Sequence, residues 1–180
     1  MKNFKTFNLY LVTKYLLCSL LIISCSLLIT SCGVYSFKDV SIDYTKYKTI
    51  KMGFIENRAP IINTQLAPKL NDKLQQKIVS QTKLTRTNND DAHYQLSGFI
   101  STYNVTTTAI SSTQAATNRL NIGVHMVVKN TLENKTDEFD VSRNFDFSAN
   151  LSIDQAYVQL QDEIIRNLTD EIFNHIFSNW

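Results

Sequence analysis

The sequence is 180 residues long, 43% hydrophobic and 19% charged, with a formal net charge of +2. Three of its 18 cations, Lys2, Lys5 and Lys14, lie in the first 31 residues, which hold no acid; without them 15 cations face 16 carboxylates and the net charge becomes −1. A near-neutral chain gives no electrostatic reason to expect nucleic acid as a partner, and four glycines in all leave no glycine-rich loop to cradle a phosphate.

The basic start is followed by an apolar run from Tyr15 to Thr30. At roughly 16 residues it suits a cleaved export signal and falls short of the roughly 20 that span a bilayer. It ends in Leu28-Ile29-Thr30-Ser31-Cys32-Gly33, the lipobox pattern of a bacterial lipoprotein precursor. Ile29 is the aliphatic residue, and Thr30 and Ser31 are the small ones that let a signal peptidase reach the backbone. Cys32 is the acceptor of a diacylglycerol thioether and, once it is the first residue, of an N-acyl chain. Ile22-Ile23-Ser24-Cys25 is a weaker match, because cleavage there shortens the signal core and leaves an apolar stretch on the exported end. The expected division is therefore a signal peptide over 1–31, a lipidated tether over 32–46 and one domain over 47–180, a length that fits a single core. Cys18, Cys25 and Cys32 are the three cysteines, so the folded part has none for a disulfide, a thiolate metal site or a nucleophile.

Within the tether, Val34, Tyr35 and Phe37 are apolar enough that part of it is expected to dock. From Thr49 a strand pattern begins, with Ile50, Met52 and Phe54 on one side and Thr49 and Lys51 on the other. A helix is expected from near Thr64, with Pro68 in or near its first turn and Leu66, Leu70, Leu74 and Ile78 on one stripe. Asn88-Asn89-Asp90-Asp91 reads as a turn. In the second strand Tyr94, Leu96, Gly98 and Ile100 alternate with Gln95, Ser97 and Ser101 as far as Val105. The third sets Leu120, Ile122, Val124, Met126 and Val128 against Arg119, Asn121, Gly123, His125 and Lys129. Between them, Thr106 to Asn118 is uncharged and without period, either a mobile loop or a hairpin extension. A fourth strand carries Phe139, Val141, Phe145 and Phe147. Ser152 and Gln155 form a capping box for a long amphipathic helix marked by Ala156, Tyr157, Leu160, Ile164, Leu168, Ile172, Ile176 and Phe177. The order β-α-β-β-β-α predicts an α+β fold: a two-layer α/β sandwich of a four-stranded, mainly antiparallel sheet with both helices on one face. The second face is left polar by Lys51, Gln95, Ser97, Asn121, His125 and Lys129.

No catalytic residues are predicted. His93, His125 and His175 lack metal-ligand spacing, Asp90 and Asp91 sit in a turn composition, and no serine has the glycine flanks of a nucleophile elbow. The expected chain is not an enzyme and carries no metal and no cofactor beyond the lipid on Cys32.

Cys32-Gly33-Val34-Tyr35-Ser36-Phe37, Phe54-Ile55-Glu56-Asn57, the run from Tyr94 through Ser97-Gly98 to Ile100 and Tyr103, Arg119-Leu120, Val128-Lys129-Asn130, Ile172-Phe173-Asn174 and Asn179-Trp180 follow one another along the chain. With the element order, they make the chain resemble the LptE family of outer-membrane lipopolysaccharide-assembly lipoproteins, in its Bacteroidota form. The resemblance implies a lipid-anchored plug in the lumen of an LptD-type outer-membrane β-barrel, helping that barrel assemble and insert lipopolysaccharide into the outer leaflet. No motif carries the family's lipid-contacting positions across. Arg119 and Lys129 are candidates for lipopolysaccharide contact, since exposed strand cations can pair with sugar phosphates. Gly33 in place of an aspartate after Cys32, with no acidic run following, points to the periplasmic face of the outer membrane. A periplasmic ligand- or peptidoglycan-binding lipoprotein would instead need an apolar pocket or aromatic platform, and a hydrolase would need a histidine within reach of Ser and Asp.

Overall fold

The computed structural model describes residues 42–109 and 117–178. Its elements are β1 (Thr49–Asn57), α1 (Leu66–Gln81), β2 (Thr85–Arg86), β3 (Tyr94–Ala109), β4 (Thr117–Asn130), β5 (Lys135–Ser148) and α2 (Ile153–Phe177). The strands form one mixed sheet in the order β2-β1-β3-β4-β5. β1 runs parallel to β2 and β3, with α1 as the crossover, while β3, β4 and β5 form an antiparallel meander.

The architecture is the expected α+β sandwich with five strands rather than four. The extra strand, β2, is two residues long, too short for any alternation to mark it, and is held by Thr85 N–H donating to Lys48 O at 2.8 Å and Thr87 N–H to Ile50 O at 2.9 Å.

The α1 stripe is as the spacing predicts: Leu66, Leu70, Leu74 and Ile78 are all at most 1% exposed, each burial stabilising by roughly 1.5–3 kcal/mol. The helix begins at Leu66, close to the expected start, and the residue that satisfies its first donors is Asn63. Asn63 Oδ1 accepts from the backbone of Gln65 and Leu66 at 2.9 and 3.1 Å, while its Nδ2 donates to the buried Tyr103 hydroxyl at 3.0 Å. One amide therefore starts the helix and ties it to β3. α2 opens with the predicted capping box, Ser152 Oγ accepting from Gln155 N–H at 3.2 Å and Gln155 Oε1 from Ser152 N–H at 3.0 Å.

Three register shifts interrupt the sheet, at Met52/Ile55, Ile100/Thr102 and Thr107/Ala109, and the first two change which side chains face the core. β1 spends three steps between Met52 and Ile55 where β3 spends two, from Leu96 to Gly98. The extra residue returns Ile55 to the core at 1% exposure and leaves Phe54, expected inside, 62% exposed. A second shift between Ile100 and Thr102 brings Tyr103 inward. Gly98 allows the close approach of β3 and β4: a Cβ there would lie 2.5 Å from His125 O. Thr106 to Asn118 proves to be hairpin extension at both ends, with Thr106 paired to Arg119, Thr107 to Asn118 and Ala109 to Thr117; residues 110–116 lie outside the described residues.

The end of the predicted tether that is described, residues 42–46, docks on the domain through Ile42 and Tyr44, both packed against the core. Val34, Tyr35 and Phe37, the residues expected to dock, lie outside the described residues.

Candidate functional site

With both helices on one side, α1 over β1 and α2 over β5, the sheet keeps a second face free of any described element. Strand pairing arranges its side chains in rungs. Lys51, Gln95, Lys129 and Thr136 are consecutive partners across β1, β3, β4 and β5. They border a shallow concavity of about 260 Å³ that also includes Gly53, Ser97 and Val127. Lys51 pairs with the exposed Asp90, and Gln95 Nε2 donates to Asp90 O at 2.6 Å. Lys51 thus holds the Asp90 carboxyl below its ordinary range.

The middle rung joins Phe99, His125 and Asp140. His125 lies between an aromatic ring and two acids. Its ring centre is 5.0 Å from that of Phe99, Nδ1 is 3.0 Å from Asp140 Oδ1 and Nε2 is 3.6 Å from Glu138. The Arg58 guanidinium covers the Phe99 ring at 4.4 Å and pairs with Glu56 at 2.8 Å. Between this rung and the charged Arg119–Asp146 rung nearer the hairpin lies an uncharged one: Asn104, Asn121 and Asn144 align, and Asn121 Nδ2 donates to Asn104 Oδ1 at 2.8 Å and Thr106 Oγ1 at 3.2 Å.

Arg119 and Lys129 both lie on this face, but β4 separates them by ten residues, roughly 33 Å at strand rise. Arg119 grips Asp146 with two bonds, Nε to Oδ1 at 2.6 Å and Nη2 to Oδ2 at 3.0 Å. That fork holds the Asp146 carboxyl below, and the Arg119 guanidinium above, their ordinary ranges. Among the described residues Lys129 forms no ion pair of this kind. Cys32, Ile29, Thr30 and Ser31 lie outside the described residues. Sequence reading missed the Arg119–Asp146 fork and the Arg58–Phe99–His125 stack. The alternation put Arg119 and His125 on this face, but partners across a sheet depend on register, which turn geometry sets.

At the start of the sheet, residues 42–48 are fastened to the turn between β4 and β5. Glu133 accepts from Lys46 Nζ at 2.8 Å and from the Tyr47 hydroxyl, and Asn130 Nδ2 donates to that hydroxyl at 3.2 Å. Lys48 N–H donates to His93 Nδ1 at 2.8 Å. The Tyr47 ring packs on Tyr94 at 4.9 Å, and Tyr94 meets Phe177 edge-on at 6.4 Å. These two bonds hold the Glu133 carboxyl below its ordinary range, and burial pushes the Tyr94 hydroxyl up to about 12.

Among the described residues no helix is long and apolar enough to cross a membrane. The fold is similar to that of a neuraminyllactose-binding hemagglutinin homolog from Helicobacter pylori, at 6% identity over 71% of this chain and 84% of that one, with a TM-score of 0.50. A minor lipoprotein from Acinetobacter baumannii aligns at 17% identity over 70% of this chain and 87% of its own, with a TM-score of 0.42. A PelC dodecamer subunit from Paraburkholderia phytofirmans aligns at 8% over 74% and 89%, with a TM-score of 0.46. The first likeness speaks to the fold alone, and the other two carry no argument. No curated protein matches the sequence significantly. Residues 47–176 match the family model LptE, lipopolysaccharide-assembly, whose members are non-enzymatic, outer-membrane-associated lipoproteins that work with lipopolysaccharide-transport components. That match covers nearly all the described residues and well over half of the sequence, and the chain belongs to the LptE lipopolysaccharide-assembly family.

Proposed function

We propose that this chain is exported, cleaved before Cys32 and acylated there, and that it sits at the periplasmic face of the outer membrane inside the lumen of an LptD-type β-barrel. In that position it assists assembly of the barrel and the insertion of lipopolysaccharide into the outer leaflet. The observation that carries the reading is the family match across residues 47–176. The physics of the sheet supports it. A plug in a water-lined barrel needs a polar outer surface, and this sheet leaves one face mainly to charged, amide and hydroxyl side chains, with Phe99 and Val127 among them. A diacylglycerol plus an N-acyl chain supplies the more than one acyl chain that stable anchoring requires. The lipid on Cys32 is then the one non-protein group the role needs.

Lys129 is the better placed of the two proposed lipopolysaccharide contacts. Arg119 would have to give up its fork with Asp146 before pairing with a phosphate.

A tagged full-length chain recovered from outer membranes in mild detergent tests this directly. Co-recovery of a large β-barrel, with misassembly of that barrel when the chain is depleted, is the expected result. Clean recovery with no barrel overturns the plug reading, and a Cys32 peptide without acyl mass overturns the anchor.

A further inference from the structure

The two edges of the sheet are finished differently. β2 closes one edge with two residues, while β5 forms the other with 14, paired to β4 from Asn130↔Lys135 to Thr117↔Ser148 without a register shift. In such a strand every second residue turns its N–H and C=O away from its neighbour. Among the described residues the only backbone bond of β5 outside its pairing with β4 is the turn bond from Leu151 N–H to Ser148 O. Proteins blunt open edges with proline, bulges, short strands or charge. β5 has only charge, and most of it is negative: Asp137, Glu138, Asp140 and Asp146 against Lys135 and Arg143. α2 runs back along this strand, with His175 stacked on Phe139 at 3.8 Å between ring centres and Arg143 paired with Glu171. Arg143 and the Asn167, Glu171, Asn174 and His175 flank of α2 border a groove of about 530 Å³ there. An open edge strand with a groove beside it suits the uptake of an extended peptide as an added strand, whose backbone gives affinity and whose alternate side chains give specificity.

We propose that β5 takes up an extended, basic segment of a partner polypeptide, which joins the sheet as its next strand. Alternate side chains of a strand point to opposite faces. One set then lies on the open face beside Glu138 and Asp140, and the other enters the polar groove under α2. Charge selects the occupant. Glu138 and Asp140 are both well exposed and share one histidine, His125, with Nε2 3.6 Å from the first and Nδ1 3.0 Å from the second. One imidazole carries at most one positive charge, so at least one of the two carboxylates is left without a counter-charge. Directly opposed residues of neighbouring strands have Cβ atoms about 4.5–5.5 Å apart, and opposite charges there stabilise the pair. Two Lys or Arg side chains two positions apart on the added strand meet that need. A second copy of this chain does not, because β5 against β5 brings two strands of net negative charge together. Neither the lipid on Cys32 nor the barrel is required for this docking.

The test is hydrogen–deuterium exchange on the full chain in mild detergent. An acetylated, amidated Lys-Thr repeat peptide long enough to span β5 is the probe, and the matching Glu-Thr repeat is its control. In the free chain about half of the amides of residues 135–148 should exchange as open backbone, since only those turned toward β4 are paired. An excess of the Lys-Thr peptide should slow that open set by at least about ten-fold, and added salt should weaken the effect. The Glu-Thr peptide should leave it unchanged. Glu138→Lys combined with Asp140→Lys should reverse the preference between the two peptides. If that variant does not fold, the salt titration of the unsubstituted chain decides the role of charge. Protection by neither peptide, or equal protection by both, overturns the inference. Slow exchange of the open set in a monomeric free chain shows the edge covered by the chain itself, and slow exchange in a chain that sediments as a dimer makes the occupant a second copy; each also overturns it. Barrel recovery is not read in this experiment, so the plug reading stands or falls separately.

Discussion

The two faces of this sheet obey different physics. On the helix side Leu96, Ile100, Leu120, Ile122, Val124 and Met126 are all at most 2% exposed beneath the leucine stripe of α1 and the apolar stripe of α2. On the open side Lys51, Arg58, Arg119 and His125 each face a carboxylate, and most of those acids are well exposed. The covered face supplies stability, since apolar burial scales with area. Exposed ion pairs contribute little to stability because water and salt screen them. The open face is therefore free to be chosen for what it meets, and substitutions should separate the two roles.

The largest expected effect is on the covered side. Leu74→Ala removes a fully buried side chain and should lower unfolding free energy by about 2–5 kcal/mol, measured by chemical denaturation, while any refolded fraction keeps its partner. Gly98→Ala comes next: its Cβ would sit 2.5 Å from His125 O and 2.7 Å from Met126 Sδ. A cost of about 1–3 kcal/mol is expected from the displacement this forces. An unchanged midpoint would show that β3 and β4 can separate freely there.

Ser152→Ala deletes the cap of α2 and leaves Gln155 with half of the box. The expected loss is about 1 kcal/mol, visible as a shift in thermal midpoint. Acid should act on the exposed charges. Asp43, Asp90, Glu133 and Asp146 all titrate below their ordinary values of 3.8 for Asp and 4.5 for Glu in the folded chain. As pH falls from those values, the unfolded chain takes up protons first, so stability present above about pH 4.5 is lost progressively below it. Glu133→Gln should make that acid-side decline shallower; an identical pH profile would show that the Glu133 carboxylate does not contribute.

The smallest stability effect belongs to Lys129→Glu on the open face. No measurable change in unfolding midpoint is expected, together with reduced co-recovery of the barrel. A lowered midpoint with unchanged recovery would assign that face to folding and remove it from partner binding.

Much of the fold was legible in the residues because periodicity reports burial directly. The four-residue spacing of Leu66, Leu70, Leu74 and Ile78 and the alternation from Leu120 to Val128 each needed no knowledge of the rest of the chain, and Ser152 with Gln155 is a purely local device. Phe54 was misplaced because a bulge adds a residue through pairing with another strand, which leaves no mark on the sequence of β1. β2 was missed because two residues have no period.

The candidate face was legible only in outline. Alternation assigned Arg119, His125 and Lys129 to the polar side, yet Asp146, Phe99 and Asp140 became their neighbours through register between strands, and the separation of Arg119 from Lys129 followed from their places along β4. The amino-acid order by itself determined the helix stripes, the strand faces and a lipidation motif, since each depends on neighbours a few residues away. Tertiary structure alone decided which side chains of different strands touch, where the bulges fall and how residues 42–48 are fastened to Glu133, because those contacts join positions up to 87 apart in the chain and exist only once the sheet has closed.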